Sequence, residues 1–189
     1  MSQVAFVKAS NTGPADVFGI SVALSTDGAV LAVGAYGEDS SANGVDGNQA
    51  DNAASQSGAA YVFRSRNGLW AQEAYLKSSD THPGADFGFS LALGDEGRAL
   101  AVGAWGDTLD TGATSLFRRV GGAWAQDAYL ESSNHQPGDV FGHSVSLSAD
   151  AATLVCSALG EDSSARGIDG NQLDNSASDS GAVYLFTLQ

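Results

Sequence analysis

Cysteine is almost missing from this chain: Cys156 is the single one, so no disulfide can form within it. Cys156 sits in the apolar run 153–158 and reads as a small buried hydrophobe. Methionine occurs once and proline three times. Basic residues are scarce, with 8 Lys and Arg against 22 Asp and Glu, for a formal net charge of −14. That shortage argues against nucleic acid and anionic membrane as partners, because both are met by basic patches. It suits cation binding or solubility in a salty medium. No apolar run approaches a membrane span, so no membrane insertion is expected. Residues 1–4 lack the basic and apolar regions of a signal peptide, which fits a cytoplasmic protein or a mature or excised piece of a longer one.

Catalytic patterns are also lacking. The three histidines, His82, His135 and His143, pair with no Ser or Cys in a recognisable motif, and no G-x-S-x-G elbow occurs. They read as surface or turn residues, and the chain reads as no enzyme.

What is present is repetition. Hydrophobic residues make up 43% and glycine 24 positions, a composition suited to short strands and tight turns around a core. Residues 37–58 read GEDSSANGVDGNQADNAASQSG, and residues 160–181 read GEDSSARGIDGNQLDNSASDSG, identical at 17 of 22 positions. Neither stretch has an apolar stripe or alternation, so both are long loops. Nine of the 22 acidic residues lie there, four in the first and five in the second.

Around these loops three segments align, starting at Phe18, Phe87 and Phe141: FGISVALSTDGAVLAVGA, FGFSLALGDEGRALAVGA and FGHSVSLSADAATLVCSA. Each continues, past a loop of variable length, into a third run (GAAYVF, GATSLF or GAVYLF), and two continue into WAQEAYLKS and WAQDAYLES. The runs alternate with period two, which is the strand period. Asn67-Gly68 and Gly121-Gly122 carry hairpin chemistry. Four antiparallel strands per unit, repeated in line, predict an all-β propeller with three blade units, at about 11–79, 80–133 and 134–189 of one domain over 1–189. A β-sandwich or β-solenoid is the runner-up. Residues 3–10, QVAFVKAS, align with AQEAYLKS and are expected as a permuted outer strand. Three blades are few for a ring, so the chain reads as half of a six-bladed ring closed by a second copy, or as a fragment of a larger propeller. Open blade edges invite association, either as a homodimer or with the missing blades of a longer chain.

The Phe-Gly pairs, the Val33-Gly34-Ala35 and Val102-Gly103-Ala104 triplets and the GA-x-Y-V/L-F strands resemble the FG-GAP repeat family, the propeller repeats of integrin α chains and many bacterial surface proteins. The resemblance spans nearly the whole chain and is nearest to the bacterial secreted branch. It implies an extracellular or cell-surface propeller in adhesion or recognition, with a protein or glycan partner, often calcium-bound. One departure stands out. Integrin-type repeats carry a D-x-D-x-D-G-x-x-D calcium loop between the first two strands, whereas this chain has only residues 25–29 there, too short to supply such ligands.

A calcium site must then come from the long loops. Glu38, Asp39, Asp46, Asn48, Asp51 and Asn52 recur as Glu161, Asp162, Asp169, Asn171, Asp174 and Asn175, offering the hard oxygens that calcium takes. With no His or Cys in the loops, calcium is expected over zinc. The alternative is a solvated loop whose Asp and Asn residues make local turns. Trp105, at the mouth of the short middle loop, is a candidate for stacking on a sugar ring or partner side chain, against ordinary packing. A lectin-like propeller and a domain of a larger secreted enzyme are the other functional readings.

Overall fold

The computed structural model describes residues 2–188. Eleven strands form three antiparallel sheets in chain order. The first holds β1 (Val22–Leu24), β2 (Val30–Ala35), β3 (Ala59–Arg66) and β4 (Leu69–Leu76). The second holds β5 (Phe87–Gly94), β6 (Ala99–Ala104), β7 (Ala113–Val120) and β8 (Ala123–Leu130). The third holds β9 (Phe141–Leu147), β10 (Thr153–Ala158) and β11 (Ala182–Thr187). Neighbouring strands are consecutive in sequence, so each sheet is a meander and a propeller blade.

The two outer hairpins close on two-residue turns. Asn67 and Gly68 have φ of 53° and 78°, and Gly121 and Gly122 have 62° and 94°. Positive φ at both turn residues matches the right-handed twist of the flanking strands. Further along β4 and β8, Glu73 and Asp127 are the extra residues of a bulge, Glu73 falling between Gln72 and Ala74 and Asp127 between Gln126 and Ala128. The bulge aims Glu73 at Arg64 within its blade (2.9 Å) and at Arg119 of the next (2.9 Å).

The core lies between blades. Val30, Ala32, Ala60 and Val62 of the first blade pack against Phe87, Leu100, Val102 and Phe117 of the second, all buried. Between the second and third blades, Ala101 packs with Phe141, Leu154 and Cys156. Burial pushes the Cys156 thiol up to about 11, consistent with an inert core thiol.

Two features differ from the pattern of runs. The strand β1 covers three residues, where β5 and β9 start at their Phe-Gly pairs. Phe87 and Phe141 are pinned by parallel bridges to Gly58 and Gly112 of the blade before, and Phe18 has no such bridge among the described residues. Residues 3–10 form no strand among the described residues. Val7 and Ala9 nevertheless pack on the first blade beside Tyr61, Phe63 and Trp70.

Candidate functional site

Each loop after a second strand opens with an acidic residue turned inward: Glu38, Asp107 or Glu161, all buried. In the first blade this acid meets the end of β4. Lys77 Nζ lies 2.9 Å from Glu38 Oε2 and donates to Ser57 Oγ at 2.7 Å. Tyr75 donates its hydroxyl to Glu38 Oε1 at 2.8 Å, and Asn11 Nδ2 donates to the same oxygen at 2.8 Å. Ser40 N–H donates to Oε2 at 3.1 Å. Lys77 and Glu38 are 0% and 1% exposed, so the ion pair is buried, and both oxygens of Glu38 accept hydrogen bonds. Burial lowers the Lys77 pKa, with Glu38 opposing the shift. Burial and then Glu38 raise both Tyr61 and Tyr75, so the two phenols stay neutral donors.

Most of the other loop groups are spent on backbone amides. Asp39 accepts from Gln56 N–H at 2.8 Å, and Asp46 from Tyr75 N–H at 2.9 Å. Asn48 accepts from Ala50 N–H at 3.1 Å, and Asp51 from Ala53 N–H at 3.0 Å and from the amide and hydroxyl of Ser41. The second copy repeats this frame. Asp162 accepts from Asp179 N–H at 2.8 Å, Asn171 from Leu173 N–H at 3.1 Å, and Asp174 from Ser176 N–H at 3.1 Å and from Ser164. The Ser41 and Ser164 hydroxyls hold the Asp51 and Asp174 carboxyls below the usual range. Glu161 accepts from Asn134 Nδ2 at 3.0 Å and Ser163 N–H at 3.1 Å, and Asn175 donates to Gln136 at 2.5 Å. Asp169 keeps a positive φ of 56°, and Asn52 lines an open groove of about 540 Å³ beside residues 10–16. The oxygens of Asp39, Asn48, Asp51, Asp162, Asn171 and Asp174 hold loop backbone; the loop acids do not come together as a group of three carboxylates among the described residues. The short turn at 25–29 behaves likewise, with Asp27 accepting from Ser25 Oγ at 2.6 Å and Ala29 N–H at 3.0 Å. It does not fit an integrin-type calcium loop.

The residues that do converge are Asp80, His82 and Asp107, whose ligand atoms lie within 4.8 Å of one another. This group could hold a metal. Asp107 is the counterpart of Glu38, and the counterpart of Lys77 is Glu131, so the second blade has no lysine there. His82 takes its place: Nε2 contacts Asp107 Oδ1, and Nδ1 lies 3.2 Å from the Pro83 carbonyl. Both ring nitrogens face acceptors, which favours the imidazolium. Tyr129 donates its hydroxyl to the other oxygen of Asp107. Three changes in the middle unit meet here: Asp80 for Asn11 and Asn134, His82 for Gly13 and Gln136, and Asp107 for Glu38 and Glu161. Reading the units for what the middle one alone changes is the sequence signal that would have found them.

Burial alone would lower His82; the Asp107 hydrogen bond, the Pro83 carbonyl and the nearby acids raise it on balance. Close by, burial and then Asp110 push Asp86 up to about 6. The other units carry Val17 and Val140 at that position. A folded-state pKa raised above its unfolded value gives stability that is present below the unfolded value and lost as pH rises through the folded one. Both groups therefore act in the same direction, and the protein is expected to melt higher at pH 5.5 than at pH 8. Asp86→Asn should gain about 1–2 kcal/mol at pH 8 and flatten the slope. Thermal melts across this range check it, and a melting point that climbs with pH would refute it.

Trp105 is half-buried and meets Phe89 edge-on with ring centroids 5.9 Å apart. Its Nε1 is buried without a hydrogen-bond partner among the described residues.

No curated protein matches the chain. Among solved structures, the Pseudomonas aeruginosa periplasmic gluconolactonase PpgL matches with a TM-score of 0.48 and 20% identity, over 75% of this chain and 37% of that one. The FG-GAP repeat pattern matches residues 1–63, 70–117 and 124–186. The chain belongs to the FG-GAP repeat family.

Proposed function

We propose that this protein is a non-catalytic recognition module, working outside the cell or at its surface, which meets a protein partner through the loops of its first and third blades. One observation carries the reading. The two loops share their hydrogen-bonded frame, and the five positions at which they differ are Asn43/Arg166, Val45/Ile168, Ala50/Leu173, Ala53/Ser176 and Gln56/Asp179. Four of these pairs are exposed in both copies, and the fifth is covered only in the first blade. A rigid frame with outward variation is what a display surface requires, because ordering cost is met in folding rather than on binding. Leu173, 82% exposed among acids, favours a protein over a sugar, which is better met by an aromatic face. Screening of extracellular-matrix proteins and a glycan array tests the reading. A protein hit lost in Arg166→Asn/Leu173→Ala/Asp179→Gln at unchanged melting temperature supports it. No hit, or one indifferent to these changes, defeats it, and a glycan hit lost in Trp105→Ala supports the lectin reading instead.

A second reading concerns metal. One imidazole nitrogen and two carboxylates at Asp80, His82 and Asp107 suit zinc or another transition ion better than calcium, which takes six to eight oxygens. Zinc is expected to raise the melting temperature, since a ligand of the folded state alone stabilises it, and His82→Gln should abolish the rise. Equal shifts with calcium would return the site to the loops, and no shift with either ion would leave His82–Asp107 an ion pair.

A further inference from the structure

The geometry points to a strand-wide slot on the third blade that residues 3–10 of a second copy fill.

In the first blade the end of β4 is held on both edges. On one side lies β3. On the other lie residues 44–46 of the long loop: Lys77 N–H donates to the Gly44 carbonyl and Asp46 N–H to the Tyr75 carbonyl, each at 2.8 Å, and Val45 bridges Leu76. The lysine that ends this strand then reaches Glu38.

The third blade keeps every wall of this arrangement, and among the described residues no strand lies between them. Its β11 stands for β3, and residues 167–169 stand for 44–46 with the same backbone: φ is 80° at Gly167 against 72° at Gly44, and 56° at Asp169 against 53° at Asp46. Glu161 stands for Glu38, buried, hydrogen-bonded and without an ion-pair partner among the described residues. Ile168 is 91% exposed, whereas Val45 is half-buried against β4. Ser180 is exposed, whereas Ser57 beneath Lys77 is 1% exposed.

The missing strand must read small, aromatic, aliphatic, lysine, as in Ala74-Tyr75-Leu76-Lys77. Residues 5–8 read Ala-Phe-Val-Lys, so residues 3–10 match QEAYLKSS at 72–79, one position on from AQEAYLKS at 71–78. They are unpaired, with Phe6 82% exposed and Lys8 exposed. Within its own chain the segment is anchored on the first blade, two blades from β11. Gln72 donates to Ser10 at 2.9 Å as Gln126 donates to Ser79 at 2.9 Å, so residue 10 sits where an outer strand leaves a preceding blade. A second copy entering the slot thus brings its first blade beside this third blade. Its exposed Val22 (65%) and Leu24 (60%) then meet exposed Val183 (61%) and Leu185 (71%). These are the counterparts of Leu91 and Leu93, which pack on the cluster holding Ala60 and Val62 inside the chain. Lys8 supplies the charge that Glu161 lacks. Reciprocal exchange gives two copies and six blades.

One misfit sets the strength. Where blades meet within the chain the close position is Gly34 or Gly103; in the third blade it is Ser157. A Cβ on Gly34 would lie 1.9 Å from the Gly88 carbonyl, so Ser157 holds the docked blade off the copy's Gly19.

Sedimentation equilibrium of the full chain tests this, with melting temperature as the control for folding. A monomer–dimer equilibrium is expected. Lys8→Glu should weaken it by about a hundredfold, as loss of a buried charge partner does. Ser157→Gly should tighten it. A peptide of residues 3–10 should bind the Lys8→Glu monomer and its Lys8→Glu version should not. A monomer at all concentrations that also ignores the peptide, or a dimer untouched by Lys8→Glu, overturns the proposal. So does binding of a 72–79 peptide without the 3–10 peptide, since the slot then takes another repeat unit. None of these outcomes bears on the loop-display reading, which stands or falls on the Arg166, Leu173 and Asp179 variants.

Discussion

Gly103→Ala is expected to cost about 3 kcal/mol or more, at the upper end of what overpacking does. The reason is the contact that joins blades. A Cβ at Gly103 would stand 2.0 Å from the Gly142 carbonyl oxygen, and one at Gly34 would stand 1.9 Å from that of Gly88. Those oxygens are also held by the preceding blade, Gly142 O by Ser90 Oγ and Gly88 O by Ser21 Oγ, each at 2.7 Å. The obstacle is therefore backbone fixed in place, not the end of a side chain that can swing aside. The Phe-Gly turn of one unit and the Val-Gly-Ala strand of the unit before it are thus the two halves of one joint. Gly28→Ala is the control. Nothing lies within 4 Å of a Cβ there, and only the positive φ of 69° is strained, so about 1 kcal/mol is expected. Urea unfolding of the two variants decides the matter, and equal losses would disprove the joint.

This joint explains what could be read before the structure. Period-two runs and Gly turns in three aligned copies are local signals, and they placed the strands from β2 to β11. The shortness of β1 was hidden because its pin, the bridge made at Phe87 and Phe141, comes from a preceding blade. The candidate site was less legible. Acidic loops announce oxygens, but which amide each oxygen caps depends on φ at residues such as Asp46 and Asp169. Nor does the loop show the cation it meets: Lys77 lies 39 positions from Glu38, in a strand that reads as ordinary alternation. His82 and Asp107 were separated in the same way by 25 positions. Side chains brought together by the meander, rather than by spacing along the chain, escape a reading of motifs.

Lys77→Met should be the most damaging charge change in the chain, costing about 3–5 kcal/mol. A buried pair is dear to break because the survivor keeps its desolvation cost and loses the attraction that offset it. Glu38 would remain under three neutral donors, Tyr75, Asn11 and the Ser40 amide, with no cation. By contrast, Arg98→Ala should leave stability almost unchanged, because the Arg98–Asp95 pair is exposed and screened. The double variant Lys77→Met/Glu38→Gln separates pair from packing. Glutamine keeps an acceptor oxygen for Tyr75 and Asn11 and removes the stranded charge, while its NH2 accepts nothing from the Ser40 amide, so part of the loss should return. Unfolding free energies of the four-member cycle give the coupling. If Glu38→Gln restores nothing, the lysine acts through its buried stem alone, and the acids of the other two blades need no cation either.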